Sequence, residues 1–200
     1  MFIDCEKTAP KQVYELLVNA VVPRPIAWVS TRGKNGVDNL APFSFFNVFS
    51  SNPPVLGFSP GLKRTSEGHV VPKDTLQNVR DTKEFVVNIV NAPLAERMVK
   101  TSANFSSDIS EFDAVGLTSA DSLYVSAPRV QESPINFECK LFKIVEIGTS
   151  NLILGQIVCI HIDNSVLSDG QIDVLKLQPV GRLGGESYSI ADDPFIIERP

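Results

Sequence analysis

Apolar and polar positions alternate with a period of two along much of this chain. The pattern is plainest where Ile135, Phe137, Cys139 and Leu141 interleave with Asn136, Glu138 and Lys140, which predicts a half-buried strand. After Leu141 the phase flips, because Phe142 and Ile144 are apolar and Lys143 is polar. A one-residue flip predicts a β-bulge, a device that bends barrel strands. The stretch 152–163 reads as the next strand, with Val158, Ile160 and Ile162 on one face. Near the start the period changes to 3.6. Val13, Leu16, Leu17 and Ala20 predict a helix over 10–20, with Pro10 suited to its first turn and Pro23 and Pro25 blocking continuation.

Residues 25–31 form a strand-like run, followed by Gly33-Lys34-Asn35-Gly36 as a hairpin signal. The return strand runs from Val37 towards Phe43, with a bend at Pro42, and β-type residues continue over 43–50. Pro53-Pro54 interrupts, and 55–58 resumes the strand character. A polar loop is expected over 59–72. Asp74-Thr75-Leu76-Gln77 reads as a capping box opening a helix to about Asp81. A strand over 85–90, a helix over 94–100 and an irregular segment over 101–134 complete the order. Strands dominate and most are joined by short turns, which predicts an antiparallel barrel or sandwich with peripheral helices.

The chain has 200 residues, which suits a single domain over 1–200. With 18 basic and 23 acidic side chains its net charge is −5, which argues against nucleic-acid binding. A charged share of 20 % favours hiding some surface in an oligomer. No apolar run approaches the length of a membrane span, and acids stand where a signal peptide would have its basic start, so no membrane association is expected. Three cysteines with no C-x-x-C argue against a disulfide framework and for a reducing cytoplasm.

Gly57-Phe58-Ser59-Pro60-Gly61 matches the nucleophile elbow G-x-S-x-G. The elbow needs the backbone N–H of the residue after the serine, and proline has none. Neither a P-loop nor G-x-G-x-x-G occurs. His69 and His161 share no metal-ligand spacing with the cysteines, so no metal site is expected. Cys159 and His161 fall on one strand face, either as a thiol–imidazole pair or as a core thiol beside a hydrogen-bonded histidine.

Two segments carry candidate chemistry. Lys73, Asp74 and Thr75 stand at a helix start, where amides and dipole favour phosphate, and Lys63 and Arg64 lie in the preceding loop. Lys73 would supply charge, Thr75 a hydroxyl, and Asp74 the helix cap. The alternative is a plain cap with solvated cations. The run Asn39, Leu40, Ala41, Pro42, Phe43, Ser44, Phe45, Phe46 and Asn47 alternates aromatic and small polar residues. It could wall a flat heteroaromatic ring, or its phenylalanines could be ordinary core. A phosphate end plus an aromatic wall suits flavin mononucleotide (FMN) or a similar phosphate-bearing cofactor.

The ordered set Arg24-Pro25-Ile26-Ala27-Trp28-Val29-Ser30-Thr31, the 39–46 run, Pro53-Pro54, Lys73-Asp74-Thr75 with Asn78, and Glu84-Phe85-Val86-Val87-Asn88 resembles the flavin reductase-like, FMN-binding split-barrel family, in its flavoredoxin-type branch. The resemblance extends through 155–163 to Gly181-Arg182-Leu183-Gly184-Gly185 and Tyr188. It implies a six-stranded antiparallel Greek-key split barrel and a homodimer with FMN near the interface. It implies that ring and ribityl lie along 41–47, with the phosphate on the Ser59 region and residues 73–75. Arg182 and Tyr188 would complete the site, from either subunit. The expected function is oxidoreductase: NAD(P)H reduces FMN, which passes electrons to free flavin or a redox protein acceptor. An FMN carrier without a nicotinamide site, or a ligand-binding barrel without cofactor, are the alternatives. No catalytic side chain is assigned. The long 59–73 loop departs from the family's compact versions and bears on substrate access.

Overall fold

The computed structural model describes residues 1–64, 68 and 70–198. Its main sheet holds β1 (Ala27–Arg32), β2 (Asp38–Phe43), β3 (Phe46–Ser51), β4 (Pro54–Phe58), β5 (Glu84–Ile89), β6 (Ile135–Ile147) and β7 (Ser150–Ile162). These pair antiparallel in the order β2-β1-β5-β6-β7-β4-β3. Seven strands thus stand where six were expected. The two edge strands, β2 and β3, are consecutive in the chain and joined only by Ser44 and Phe45. The Ser59 amide donates to the Phe45 carbonyl at 2.9 Å. The sheet therefore curls until its edges share a corner, which makes a split barrel. Bulges interrupt the β6–β7 ladder between Glu138 and Cys139 and between Leu141 and Lys143, the second at the predicted phase flip.

Three rings span the interior. Phe58 lies 5.1 Å from Phe43 and 5.3 Å from Phe85, centroid to centroid. Gly155 on β7 makes room for the third, since a Cβ there would meet Phe85 Cζ at 2.2 Å. Helix α1 spans Pro10–Ala20 and α2 spans Asp74–Thr82. Leu76 and Val79 of α2 join the barrel core. On the outer face, α3 (Ala95–Lys100) and α4 (Glu111–Val115) contribute Met98 and Phe112 to a second core around Trp28 and Leu40. The Trp28 indole donates to Thr101 Oγ1 at 2.9 Å, which satisfies its buried N–H.

A strap over 119–130 covers more of the outer wall, pairing Ser119–Ala120 with Arg129–Val130. The Val130 amide donates to Asn88 Oδ1 at 2.9 Å. The Leu123 and Tyr124 amides donate to the buried Glu138 carboxylate at 2.8 and 2.6 Å. Burial pushes that carboxyl's pKa up. The Leu123 amide, His161 and the Tyr124 amide outweigh it and hold the group below the ordinary carboxylate value.

Three expectations about the elements need correction. The stretch 59–72 contains a hairpin, Leu62–Arg64 with Val70–Pro72. The segment 101–134 contains α4 and the paired strap. Asp74 is the first helical residue, not the cap. Lys73 occupies the N-cap without a side-chain cap bond, and Gln77 donates to Asp81 at 3.1 Å instead of reaching back. The apolar stripe of α1 is not covered by this chain: Val18 is buried, while Leu16 and Leu17 are exposed. No described helix is long and apolar enough to cross a membrane.

Candidate functional site

The site is built from the edge strand β2 outward. Pro42 suits an edge, where the missing N–H costs no ladder bond. Around Pro42 and Lys73 run three adjoining hollows of about 670, 790 and 640 Å³, each with both residues in its wall. The first is lined by Tyr14, Arg24, Ser44, Met98, Arg182 and Tyr188 among others. The second takes in Asn39, Ala41, Asp74, Thr75, the segment 101–107 and Glu111. The third includes Phe43, Ser44, Phe45 and Ser59.

Most sequence-predicted residues therefore converge on one cleft. Phe43 reaches it with little surface: it is 5 % exposed, its ring belongs to the barrel core, and Lys73 Nζ lies 5.3 Å from that ring. Thr75 is 1 % exposed, and its Oγ1 accepts from Asn39 Nδ2 at 3.0 Å. Phe46 and Asn47 lie apart from the cleft. They line a separate apolar hollow of about 360 Å³ with Leu17, Val21 and Pro23, which Ser44 and Phe45 also border. The backbone of Arg64 ends the short strand Leu62–Arg64, while its side chain, like that of Lys63 and all of His69, lies outside the described residues.

Arg24 shapes the first hollow, although the sequence reading gave it no role in the site. It is 7 % exposed. Its Nη1 donates to the Val18 and Val21 carbonyls at 2.5 and 2.7 Å, and Nη2 to Leu183 at 2.9 Å. A cation is thus set against the carbonyl end of α1, where the helix dipole favours it. Its Nε is buried with no hydrogen-bond partner among the described residues. Burial pushes the guanidinium pKa down, Tyr14 opposes this, and Arg182 adds to it. Arg182 lies 4.5 Å from the centre of the Tyr188 ring and donates to the Tyr188 hydroxyl and the Gly185 carbonyl. Three cations, Arg24, Lys73 and Arg182, face this hollow with one carboxylate, Glu15. That hollow is electrically suited to an anionic ligand, whereas Asp74 and Glu111 line the second.

Tyr14, Arg24, Met98, the 101–107 segment and Glu111 were missed as cleft residues. Arg24 alone had a signal, as the first residue of a resembling motif. The others come from elements whose approach to β2 is a tertiary fact.

A family model described as "Flavin reductase like domain" matches residues 19–176. The chain belongs to that family. An uncharacterized protein of Aquifex aeolicus is 42 % identical over 92 % of both chains. Among solved structures, nitrilotriacetate monooxygenase component B from Bacillus cereus superposes with a TM-score of 0.92 at 31 % identity, over 98 % of each chain. The 2-nitrobenzoate 2-nitroreductase NbaA of Pseudomonas fluorescens superposes at 0.88 and 32 %, over all of this chain and 96 % of its own. Membership in the flavin reductase-like family accords with the split barrel.

Proposed function

We propose that this protein is an FMN-binding oxidoreductase that takes electrons from NAD(P)H and passes them to free flavin or a redox protein acceptor. The observation that carries this reading is the convergence of Lys73, Arg24 and Arg182 on the cleft along Pro42 and Ser44. The residues present fit FMN on their chemistry. Lys73 and the first amides of α2 offer a phosphate positive charge and donors. The unpartnered Nε of Arg24 offers a further buried donor. Bound there, FMN would supply two-electron exchange with a nicotinamide.

The chain's own part is binding and exclusion of water. Pro42 lines all three hollows and Ser44 the first and third, with Tyr14 and Phe45 beside them in the third. The cation–π contact with Phe43 steadies Lys73. Arg182, stacked on Tyr188, adds charge at the far side. Transfer between stacked rings needs proximity more than a titrating side chain. The likeness to a monooxygenase component and to a nitroreductase supports electron delivery beyond the protein's own flavin. After loading with FMN and desalting, the protein should keep one flavin per chain, release it on acid denaturation, and consume NADH or NADPH when free FMN is added. A colourless protein after desalting sinks the cofactor assignment.

A homodimer belongs to the same reading. Leu17, Val21, Phe45, Val48 and Phe49 are exposed on α1, the corner and the edge strand β3. An apolar edge needs cover, and a twofold contact supplies it with one self-complementary surface. Light scattering should report about twice 21.9 kDa. A monomer at micromolar concentration, roughly where weak dimers dissociate, contradicts it.

A further inference from the structure

One cluster of metal-ligating side chains stands on the outer barrel wall, among residues the proposed reaction does not use. Cys159 and His161 are two apart on β7, and Glu138 is paired with Cys159 across the ladder, so all three share a face. Cys159 Sγ lies 3.7 Å from His161 Nε2, and that nitrogen lies 2.6 Å from Glu138 Oε1. The three donor atoms fall within 4.8 Å of one another. The geometry points to a binding site for a thiophilic divalent cation of the zinc class, with Glu138, Cys159 and His161 as ligands and water in the fourth position.

Distance is the first argument. A tetrahedral zinc ion holds nitrogen and oxygen at about 2.0–2.2 Å and sulfur at about 2.3 Å, which separates the donors by roughly 3.3–3.6 Å. The sulfur–nitrogen pair is already near that spacing, and the sulfur–oxygen pair, which lies within 4.8 Å, reaches it by closing at most about 1.3 Å. The nitrogen–oxygen pair must open by less than about 1 Å, a small turn of the imidazole. Preorganisation is the second. Glu138 is fully buried, and the Leu123 and Tyr124 amides fix its orientation. Such outer hydrogen bonds hold metal-ligating carboxylates in place. The lone pair of Oε1 that faces His161 is the one a cation would take, replacing the proton between the two groups.

Charge and access agree. One carboxylate and one thiolate neutralise a divalent ion, and a sulfur–nitrogen–oxygen set selects zinc over magnesium or calcium. Cys159 and His161 are half-buried, so an ion can enter and keep a water. The buried Cys139 faces the barrel core and does not compete, since burial pushes its thiol pKa up. On binding, the Cys159 thiol releases its proton to solvent. A neutral His161 moves its proton to Nδ1, and a charged one releases its second proton. The signal missed in the sequence was Glu138: the ligand spacing runs across a ladder, not along the chain.

Equilibrium dialysis of the full chain, FMN-loaded and kept reduced with a non-chelating phosphine, against Zn(II) tests the assignment. One zinc per chain is expected, unchanged in Cys5→Ser, which removes the exposed thiol. Cys159→Ser and His161→Ala should each weaken binding by more than about tenfold, because a lost ligand costs more than the 10- to 100-fold range begins at for outer-shell partners. Their circular dichroism and flavin content should stay at wild-type values. Co(II) should give the red-region bands of a tetrahedral thiolate site, beyond oxidised flavin absorption, and lose them in Cys159→Ser. Mg(II) and Ca(II) should not compete. No bound zinc, zinc lost with Cys5→Ser, or wild-type affinity in both Cys159→Ser and His161→Ala would overturn the site and leave a plain His161–Glu138 hydrogen bond.

Discussion

Phe58→Ala should destabilise the barrel by about 3–5 kcal/mol, the range for deleting a buried phenylalanine ring. Phe58 is fully buried and sits between Phe43 and Phe85. Its loss removes ring contacts on both sides. The gap is hard to refill, because Phe43 is held by β2 and Phe85 already occupies the space that Gly155 leaves. The damage reaches the cleft as well, since Phe43 carries Lys73 above its ring and neighbours Pro42 and Ser44. Urea unfolding at fixed protein concentration is the check, with a lower midpoint and little change in slope expected. A loss below about 1 kcal/mol would mean that the three-ring stack does not hold the barrel together.

Lys73→Ala should weaken FMN binding by roughly 10- to 100-fold, from the loss of one charge-assisted hydrogen bond worth about 1.5–3 kcal/mol. Riboflavin has the same ring without the phosphate, so its weaker binding should hardly change. Added salt should weaken FMN more in the wild type than in the variant, because screening acts on the charge removed. The structure narrows the donors beside it. Thr75 is buried and its hydroxyl accepts from Asn39, so on the proposed reading Lys73, the α2 amides and Ser59 are the expected donors rather than Thr75. Equal losses for FMN and riboflavin on titration, or no loss for either, would remove the phosphate from this end of the cleft.

Local patterns carried much of the fold into the sequence. Helix α1 occupies Pro10–Ala20 as its spacing predicts, and the phase flip after Leu141 marks a real bulge. Both signals lie within a few residues of chain. What failed was non-local. The hairpin Leu62–Arg64 with Val70–Pro72 has no alternating pattern to betray it. The α1 stripe gave the helix, but helical spacing cannot say what covers it, and Leu16 and Leu17 are exposed. The aromatic run 39–47 could be read as a wall or as core, and the fold divides it: Phe43 and Phe46 pack on the barrel core, Pro42 lines the cleft, and Phe46 and Asn47 border the hollow beside α1. Arg24 sits far in sequence from Leu183 and Arg182, and only the closed fold brings them together.

On the proposed function, this cleft holds an FMN that a nicotinamide can reduce. Anaerobic mixing of FMN-loaded protein with NADH and, separately, with NADPH tests it most directly. The oxidised flavin absorbance should bleach with at least one of them, in proportion to bound FMN, and return when air is admitted. An FMN-loaded protein whose flavin stays oxidised with both donors would contradict it and leave an electron carrier with no nicotinamide site.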